Sequence, residues 1–220
     1  MNLVRLESLV GNENLEKIRK LKVLVLGLGG VGGSLVRCGV ENITLVDSDT
    51  IKPSNINRQI ITTSRNMNKY KTREWKKRIK LINKNAIVNI INVHITEDNI
   101  ECLFGSNYDY IIDACDTTKV KVKLIIECHN RNIKLVSSMG TANKLDATKI
   151  YITTLDKTHS DPLAKKIRHD LGKYKEYMRD VTVVTSSEKA INNTMLGSTA
   201  FVPATAGLFI TNYIINDVIK

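Results

Sequence analysis

Apolar residues fall along this chain in short, nearly unbroken runs, each closed by glycine or an acidic residue and followed by a stretch with helical spacing. Lys22 to Leu28 (KVLVLGL) is the first run, and it ends in glycines as a parallel strand buried on both faces does. Asn42 to Asp47 (NITLVD) repeats the pattern, followed by Ile87 to Ile95, Asp109 to Asp113 and Ile133 to Val136. Between them, Asn68 to Asn83 sets Trp75, Ile79 and Ile82 on one helix face with Lys and Arg on the others. Glu97 to Phe104 is expected to start at a capping Thr96 and stop at Gly105, and Thr117 to Asn130 is the next helix. This alternation predicts an α/β fold, a Rossmann-like, mostly parallel sheet with helices on both faces. After Gly140 the rhythm changes: a strand at Lys149 to Thr154, a helix opening at Asp161 (DPLA), a strand at Val181 to Thr185 and an apolar helix from Pro203 to Ile219. These predict a few antiparallel strands extending the sheet. No repeat or linker divides the chain, so one domain over 1–220 is expected, with an N-terminal helix over 1–20, a core over 21–140 and an extension over 141–220.

The run Gly27-Leu28-Gly29-Gly30-Val31-Gly32 follows a predicted strand and opens a helix. Its backbone amides can therefore approach phosphates, which the helix N-terminus also favours. Asp47 ends the second strand, where a ribose hydroxyl would be received. On these features alone, NAD-type dinucleotide binding and ATP binding both fit. The next segment favours ATP. Asp47-Ser48-Asp49 runs into Pro53-Ser54-Asn55-Ile56-Asn57-Arg58-Gln59, and Lys71 follows. Hydride transfer needs a flat nicotinamide pocket, whereas Asn, Arg and Lys suit a triphosphate and its leaving pyrophosphate.

Composition narrows the partners. The 220 residues carry 33 Lys and Arg against 22 Asp and Glu, a formal charge of +11, with 42% hydrophobic residues. A globular chain of this charge is attracted to polyanions, so nucleic acid leads and an anionic membrane surface, met peripherally, comes second. Cys38, Cys102, Cys115 and Cys128 form no C-x-x-C pair and fall in segments that read as buried. Neither structural zinc nor a disulfide framework is implied, and burial makes these thiols poor nucleophiles. His159, Ser160 and Asp161 are consecutive and cannot face one another as a triad. With no apolar run of membrane-spanning length and no leader-like N-terminus, the expected compartment is the cytoplasm.

Together, GLGGVG, the Asp47/Asp49 pair, SNINRQ, Lys71 and the strand end Asp113-Ala114-Cys115-Asp116 resemble the ubiquitin-activating-enzyme superfamily, whose members adenylate a carboxylate with ATP. DPLAKKIR at 161–168 and FVPATAG at 201–207 look most like the branch of dehydratases that act on threonylcarbamoyladenosine in tRNA. The resemblance implies that 21–140 binds the nucleotide and 141–220 serves substrate and dimer contacts. It implies that Gly27, Gly29, Gly30 and Gly32 hold phosphates, Asp47 the ribose, Asn55 and Arg58 the triphosphate, Lys71 the phosphate charge and Asp116 a Mg²⁺ ion. Asp49 and Asn57 belong to the same nucleotide site. Arg58, Lys71 and Asp116 would form the catalytic group, joined by Arg5 from the neighbouring subunit of a homodimer. Lys69, Lys71, Arg73, Lys76, Lys77, Arg78 and Lys80, with Lys165, Lys166 and Arg168, would offer contacts to a tRNA backbone. The alternative substrate is the C-terminus of a small sulfur-carrier or ubiquitin-like protein, which would bring a sulfur-transfer partner. Two departures from the family pattern stand out: the helix after GGVGG is about one turn short, and Thr117 follows Asp116 where relatives often have Asn.

Overall fold

The computed structural model describes residues 1–29, 32–192 and 194–220. The N-terminal segment, expected as one helix, is two: α1 (Val4–Val10) and α2 (Asn12–Lys20), broken at Gly11, whose φ of 81° no helix accepts. The nucleotide-binding half then runs β1 (Lys22–Leu26), α3 (Gly32–Arg37), β2 (Asn42–Val46), α4 (Lys71–Ile82), β3 (Ile87–Ile91), β4 (Tyr110–Asp113), α5 (Thr118–Asn130) and β5 (Lys134–Ser138). The rest comprises β6 (Ile150–Thr154), α6 (Pro162–Leu171), α7 (Tyr177–Asp180), β7 (Thr182–Ser186) and α8 (Phe201–Ile219).

The seven strands lie in the order β3-β2-β1-β4-β5-β7-β6. All neighbours are parallel except β6, which pairs antiparallel with β7. The expected antiparallel extension is therefore one edge strand, since β7 itself runs parallel to β5. Strand residues alternate between two cores. Val23, Val25, Ile43, Leu45 and Ile112 meet α3, α4 and α8 through Leu35, Trp75, Ile79, Val202 and Ile210. Leu24, Leu26, Ile111 and Leu135 meet α5 and α6 through Leu124, Ile125, Ala164 and Ile167. Both strand faces are buried, which is why the strands read as continuous apolar runs.

Local chemistry moves several boundaries. The segment expected as a helix from Thr96 is a 3-10 turn, Ile100–Phe104, and Thr96 caps nothing; its N–H instead donates to Asn99 Oδ1 at 2.8 Å. The α6 start is as expected: Asp161 Oδ1 accepts the Ala164 N–H at 3.0 Å, with proline at the first position. The helix after the glycine loop is short, six residues, and ends before Gly39, whose φ is 100°. A Cβ at Gly39 would stand 3.2 Å from Leu3 Cδ1 and 3.3 Å from Leu15 Cδ1, so the N-terminal segment packs directly under this turn.

Candidate active site

Strand order reverses between β1 and β4, and the chain leaves these two strands in opposite directions, opening a crevice at their carboxyl ends. Gly27 sits at its rim with φ 88°, and a Cβ there would lie 2.5 Å from the Ala114 carbonyl oxygen. Only glycine lets the loop pass so close to the end of β4. Asp47, at the end of β2, holds the loop from the other side: Oδ2 accepts the Leu28 N–H at 2.9 Å and Oδ1 the Asp49 N–H at 2.8 Å. Trp75, fully buried on α4, donates Nε1–H to the Leu28 carbonyl at 3.2 Å. Lys71 opens α4 with Nζ 2.7 Å from Asp49 Oδ2 and 3.9 Å from Asp47 Oδ2.

Beside this cluster lies a cavity of about 550 Å³ whose wall includes Gly29, Arg58, Gln59 and Asp116. Its far side is built from the residues after β5, the start of α6 and the 196–198 loop. Asn143, in the left-handed region at φ 57°, stitches that loop down: its N–H donates to the Gly197 carbonyl at 2.9 Å and its Oδ1 accepts the Gly197 N–H at 2.5 Å. Arg58 Nη1 donates to the Ser54 carbonyl at 2.7 Å and Asn57 Oδ1 at 3.0 Å, which leaves its other donors for a ligand. Gln59 is 9% exposed, and its Oε1 has no partner among the described residues.

Two buried lysines fix the walls. Lys121 Nζ donates to Asp113 Oδ2 at 2.8 Å, Ser137 Oγ at 3.2 Å and the Ser138 carbonyl at 2.9 Å, tying the ends of β4 and β5 together. Lys144 Nζ donates to the Gly140 carbonyl at 2.7 Å and lies 3.4 Å from Asp161 Oδ2, which also accepts the Gly140 N–H at 3.0 Å. Neither lysine was singled out above. For Lys121 the signal exists: Val120, Leu124 and Cys128 with Lys121 and Ile125 form the buried face of α5, so one of three alternating lysines, 119, 121 and 123, had to point inward. Lys144 lies in an irregular segment without periodicity, and nothing in its neighbours marks it as buried.

Of the residues predicted to form the site, Gly29, Arg58 and Asp116 share the cavity wall, and Asp47, Asp49 and Lys71 form the adjoining ion cluster. Gly27 lies at their border and Gly32 opens α3, while Gly30 lies outside the described residues. Asn55 is buried, and its Oδ1 accepts the Lys52 N–H at 3.0 Å, closing a 3-10 turn three residues before Arg58. Asn57 spends its Nδ2 on the Ser198 carbonyl at 3.0 Å, pinning the far loop. Arg5 is exposed on α1 and lines no part of the cavity. The cysteines need correction too. Cys128 is buried, Cys38 and Cys115 are half-buried, and Cys102 is exposed on its 3-10 turn. Cys115 lines the cavity, but burial, reinforced by the Asp113 carboxylate, pushes its thiol far up, and burial lifts Cys128 to about 12. Among the described residues no cluster of three or more His, Cys, Asp or Glu could hold a metal, and Asp116 is an exposed carboxylate on the cavity wall. That fits Mg²⁺, which is commonly held by one or two carboxylates plus substrate phosphates and water. No helix among the described residues is long and apolar enough to cross a membrane.

A model of the ThiF family matches residues 3–214. The chain is 37% identical to the tRNA threonylcarbamoyladenosine dehydratase of Bacillus subtilis, over 98% of this chain and 94% of that one. It is 32% identical to the enzyme of the same name from Haemophilus influenzae, over 94% and 89%. The crystal structure of E. coli tRNA N6-threonylcarbamoyladenosine dehydratase in complex with ATP superposes with a TM-score of 0.93 at 30% identity, covering 98% of this chain and 93% of that one.

Proposed function

The chain belongs to the ThiF family, and from that membership we propose an ATP-dependent dehydratase that cyclises N6-threonylcarbamoyladenosine in tRNA. One observation carries the reading: Gly29, Arg58 and Asp116 converge on a cavity at the strand-order reversal, in a fold matching the ATP-bound E. coli enzyme throughout. The threonyl carboxylate attacks the α-phosphorus of ATP, an oxygen–phosphorus bond forms, and pyrophosphate leaves. The carbamoyl group of the same nucleoside then closes on the acyl carbon, a proton leaves from nitrogen, and AMP departs with the carboxylate oxygen. The net change in the nucleoside is loss of water. Proximity drives the closure, so no covalent enzyme nucleophile is needed, in keeping with the protonated Cys115 beside the cavity.

The Gly29 amide and the Arg58 guanidinium receive the phosphates, since the Gly27 and Leu28 N–H groups are held by the Val46 carbonyl and Asp47 Oδ2, and Asp47 receives the ribose. Lys71 exchanges exposed Asp49 for a phosphate oxygen, a swap that needs only a side-chain turn. Asp116 would hold Mg²⁺, which would supply charge neutralisation for the phosphates. A homodimer in which Arg5 reaches the neighbour's triphosphate agrees with α1, which has no buried residue and exposes Val4 and Leu9. Mixing Arg5→Ala with Lys71→Ala chains should then regain activity by placing both defects in one of two sites.

The test is mass spectrometry of nucleosides from threonylcarbamoyladenosine-bearing tRNA incubated with protein, ATP and Mg²⁺. A product lighter by one water, with one AMP released per product, is expected. AMP formed only with a small carrier protein would replace this reading with the alternative substrate.

A further inference from the structure

Helix α6 links the cavity to a second pocket. Pro162 and Leu163 stand in the cavity wall, while Arg168 and His169, further along the helix, face a separate pocket of about 420 Å³. Gly172 ends the helix with φ 37°, and the chain folds back so that Lys175 and Arg179 close the other side. Met178, buried within this turn, anchors it against the body of the protein. Three cationic side chains, Arg168, Lys175 and Arg179, thus surround one concavity, joined by His169, whose Nδ1 lies 3.1 Å from Asp170 Oδ1; the one carboxylate in the lining is Asp156, whose Oδ1 already accepts the Thr154 hydroxyl at 2.5 Å. Arg168 is pre-set: Nη1 donates to the Thr158 hydroxyl and, at 3.4 Å, to the Leu155 carbonyl, leaving its remaining donors outward. Lys175 and Arg179 are exposed and have no acidic partner among the described residues.

We propose that this pocket seats a backbone phosphate of the RNA whose modified base occupies the cavity. The proposal rests on the dehydratase reading above and extends it to where the polynucleotide lies. An exposed Lys or Arg on a convex helix, as along α4, meets a phosphate from one side only. Here a concavity offers a guanidinium fork and further cations from two elements at once. The spacing also suits RNA. Leu163 and His169 are six residues apart on one helix, about 9 Å of rise, or roughly three steps of a stacked strand at about 3.4 Å each. Phosphates a few nucleotides from the reacting base therefore fall within reach of the pocket.

The test is the Lys175→Ala/Arg179→Ala double variant, with Lys20→Ala/Lys84→Ala as a charge-matched control at exposed sites elsewhere. Binding and turnover of threonylcarbamoyladenosine-bearing tRNA are measured across a salt series, with ATP affinity measured separately. The pocket variant should raise KM for tRNA about tenfold and flatten the slope of log Kd against log salt by about one. Turnover at saturating tRNA and ATP affinity should stay at the parent's values. An unchanged KM and salt slope, or an equal rise in the control, overturns the pocket while leaving the dehydratase reading intact. If the parent itself releases AMP only with a carrier protein, the dehydratase reading fails and takes the pocket with it.

Discussion

Two lysine–aspartate pairs stand at the same end of the sheet with almost equal geometry and opposite surroundings. Lys71 meets Asp49 at 2.7 Å and Lys121 meets Asp113 at 2.8 Å. Asp49 is 56% exposed, whereas Lys121 and Asp113 are both 0% exposed. In water the attraction between such charges is weak and a phosphate can replace the carboxylate at little cost, but in the interior neither charge has another place to go. The first pair is thus ready to be remade around a ligand, and the second is a strut that holds Asp116 and Ser138 on opposite walls of one cavity. Both lysines are buried, Lys71 at 7% exposed, so exposure of the carboxylate, not residue type, separates the two roles.

Breaking the strut should give the largest effect. Lys121→Ala leaves Asp113 charged and buried with only Ser137 Oγ and the Cys115 N–H as donors, at a cost of about 3–5 kcal/mol. For a chain of this length the thermal midpoint should fall on the order of 10 °C by calorimetry. A loss under about 1 kcal/mol would mean water reaches Asp113 and the two pairs are alike.

The open pair should respond in the other currency. Lys71→Ala should slow AMP release by about 10²–10³-fold, since a cation aimed at transferring phosphate acts mainly in the transition state. Folding stability should fall less than in Lys121→Ala, because Asp49 is largely solvated; the remaining loss comes from buried Lys71 and from Asp47, 3.9 Å away and 10% exposed. Single-turnover kinetics beside urea unfolding read both quantities on one preparation. Equal damage to stability and turnover would erase the contrast between the pairs.

The contrast also marks what was legible in the chain. The strands that lead to the site, the glycine loop, Asp47 and Asp116 all sit at or just past the end of a continuous apolar run, and that punctuation is visible in one dimension. The Asp161 cap was legible because an acidic residue before Pro-Leu-Ala can do little else. Residues whose role depends on what lies opposite were not. Asn55 reads as a phosphate ligand in SNINRQ, and nothing in that motif shows that its Oδ1 also accepts the Lys52 N–H three residues earlier. For Lys121 the spacing of Val120, Leu124, Ile125 and Cys128 marks the buried face, but its partners Asp113 and Ser137 lie on strands that meet it only in the fold. The break at Gly11 and the 3-10 turn at Ile100–Phe104 depend on local backbone choices that hydrophobic spacing over so few residues does not encode.

Cys115 lies between the two pairs, in the cavity wall yet raised by burial, and sharpens the comparison at smaller amplitude. A thiol pushed far above neutrality stays protonated and offers packing rather than reactivity. Cys115→Ala should therefore cost about 1 kcal/mol of stability and leave the cyclised product forming. Complete loss of product from a variant that keeps its thermal midpoint would require a thioester and a different chemistry at this wall.

The smallest effect belongs to a third pair, at the opposite end of the sheet. Asp217 near the end of α8 accepts Lys134 Nζ at 2.6 Å and the Tyr110 hydroxyl at 2.5 Å, with Lys134 60% exposed and Asp217 23% exposed. Partial burial works against its charge, but the Lys134 and Tyr110 hydrogen bonds prevail and hold the carboxyl below the usual aspartate range. A carboxyl lowered by folding adds stability above its unfolded value, near pH 3.9, and loses it as pH falls through the lower folded value. Asp217→Asn should therefore weaken the protein by under about 1 kcal/mol at neutral pH. The deficit should shrink steadily below about pH 4 until parent and variant coincide. Urea midpoints taken from pH 7 down to the acid limit measure it directly. If exposure sets the value of such pairs, this one must lie nearer to Lys71–Asp49 than to Lys121–Asp113; a deficit as large as that of Lys121→Ala, or one that grows on acidification, would show that something other than exposure separates them.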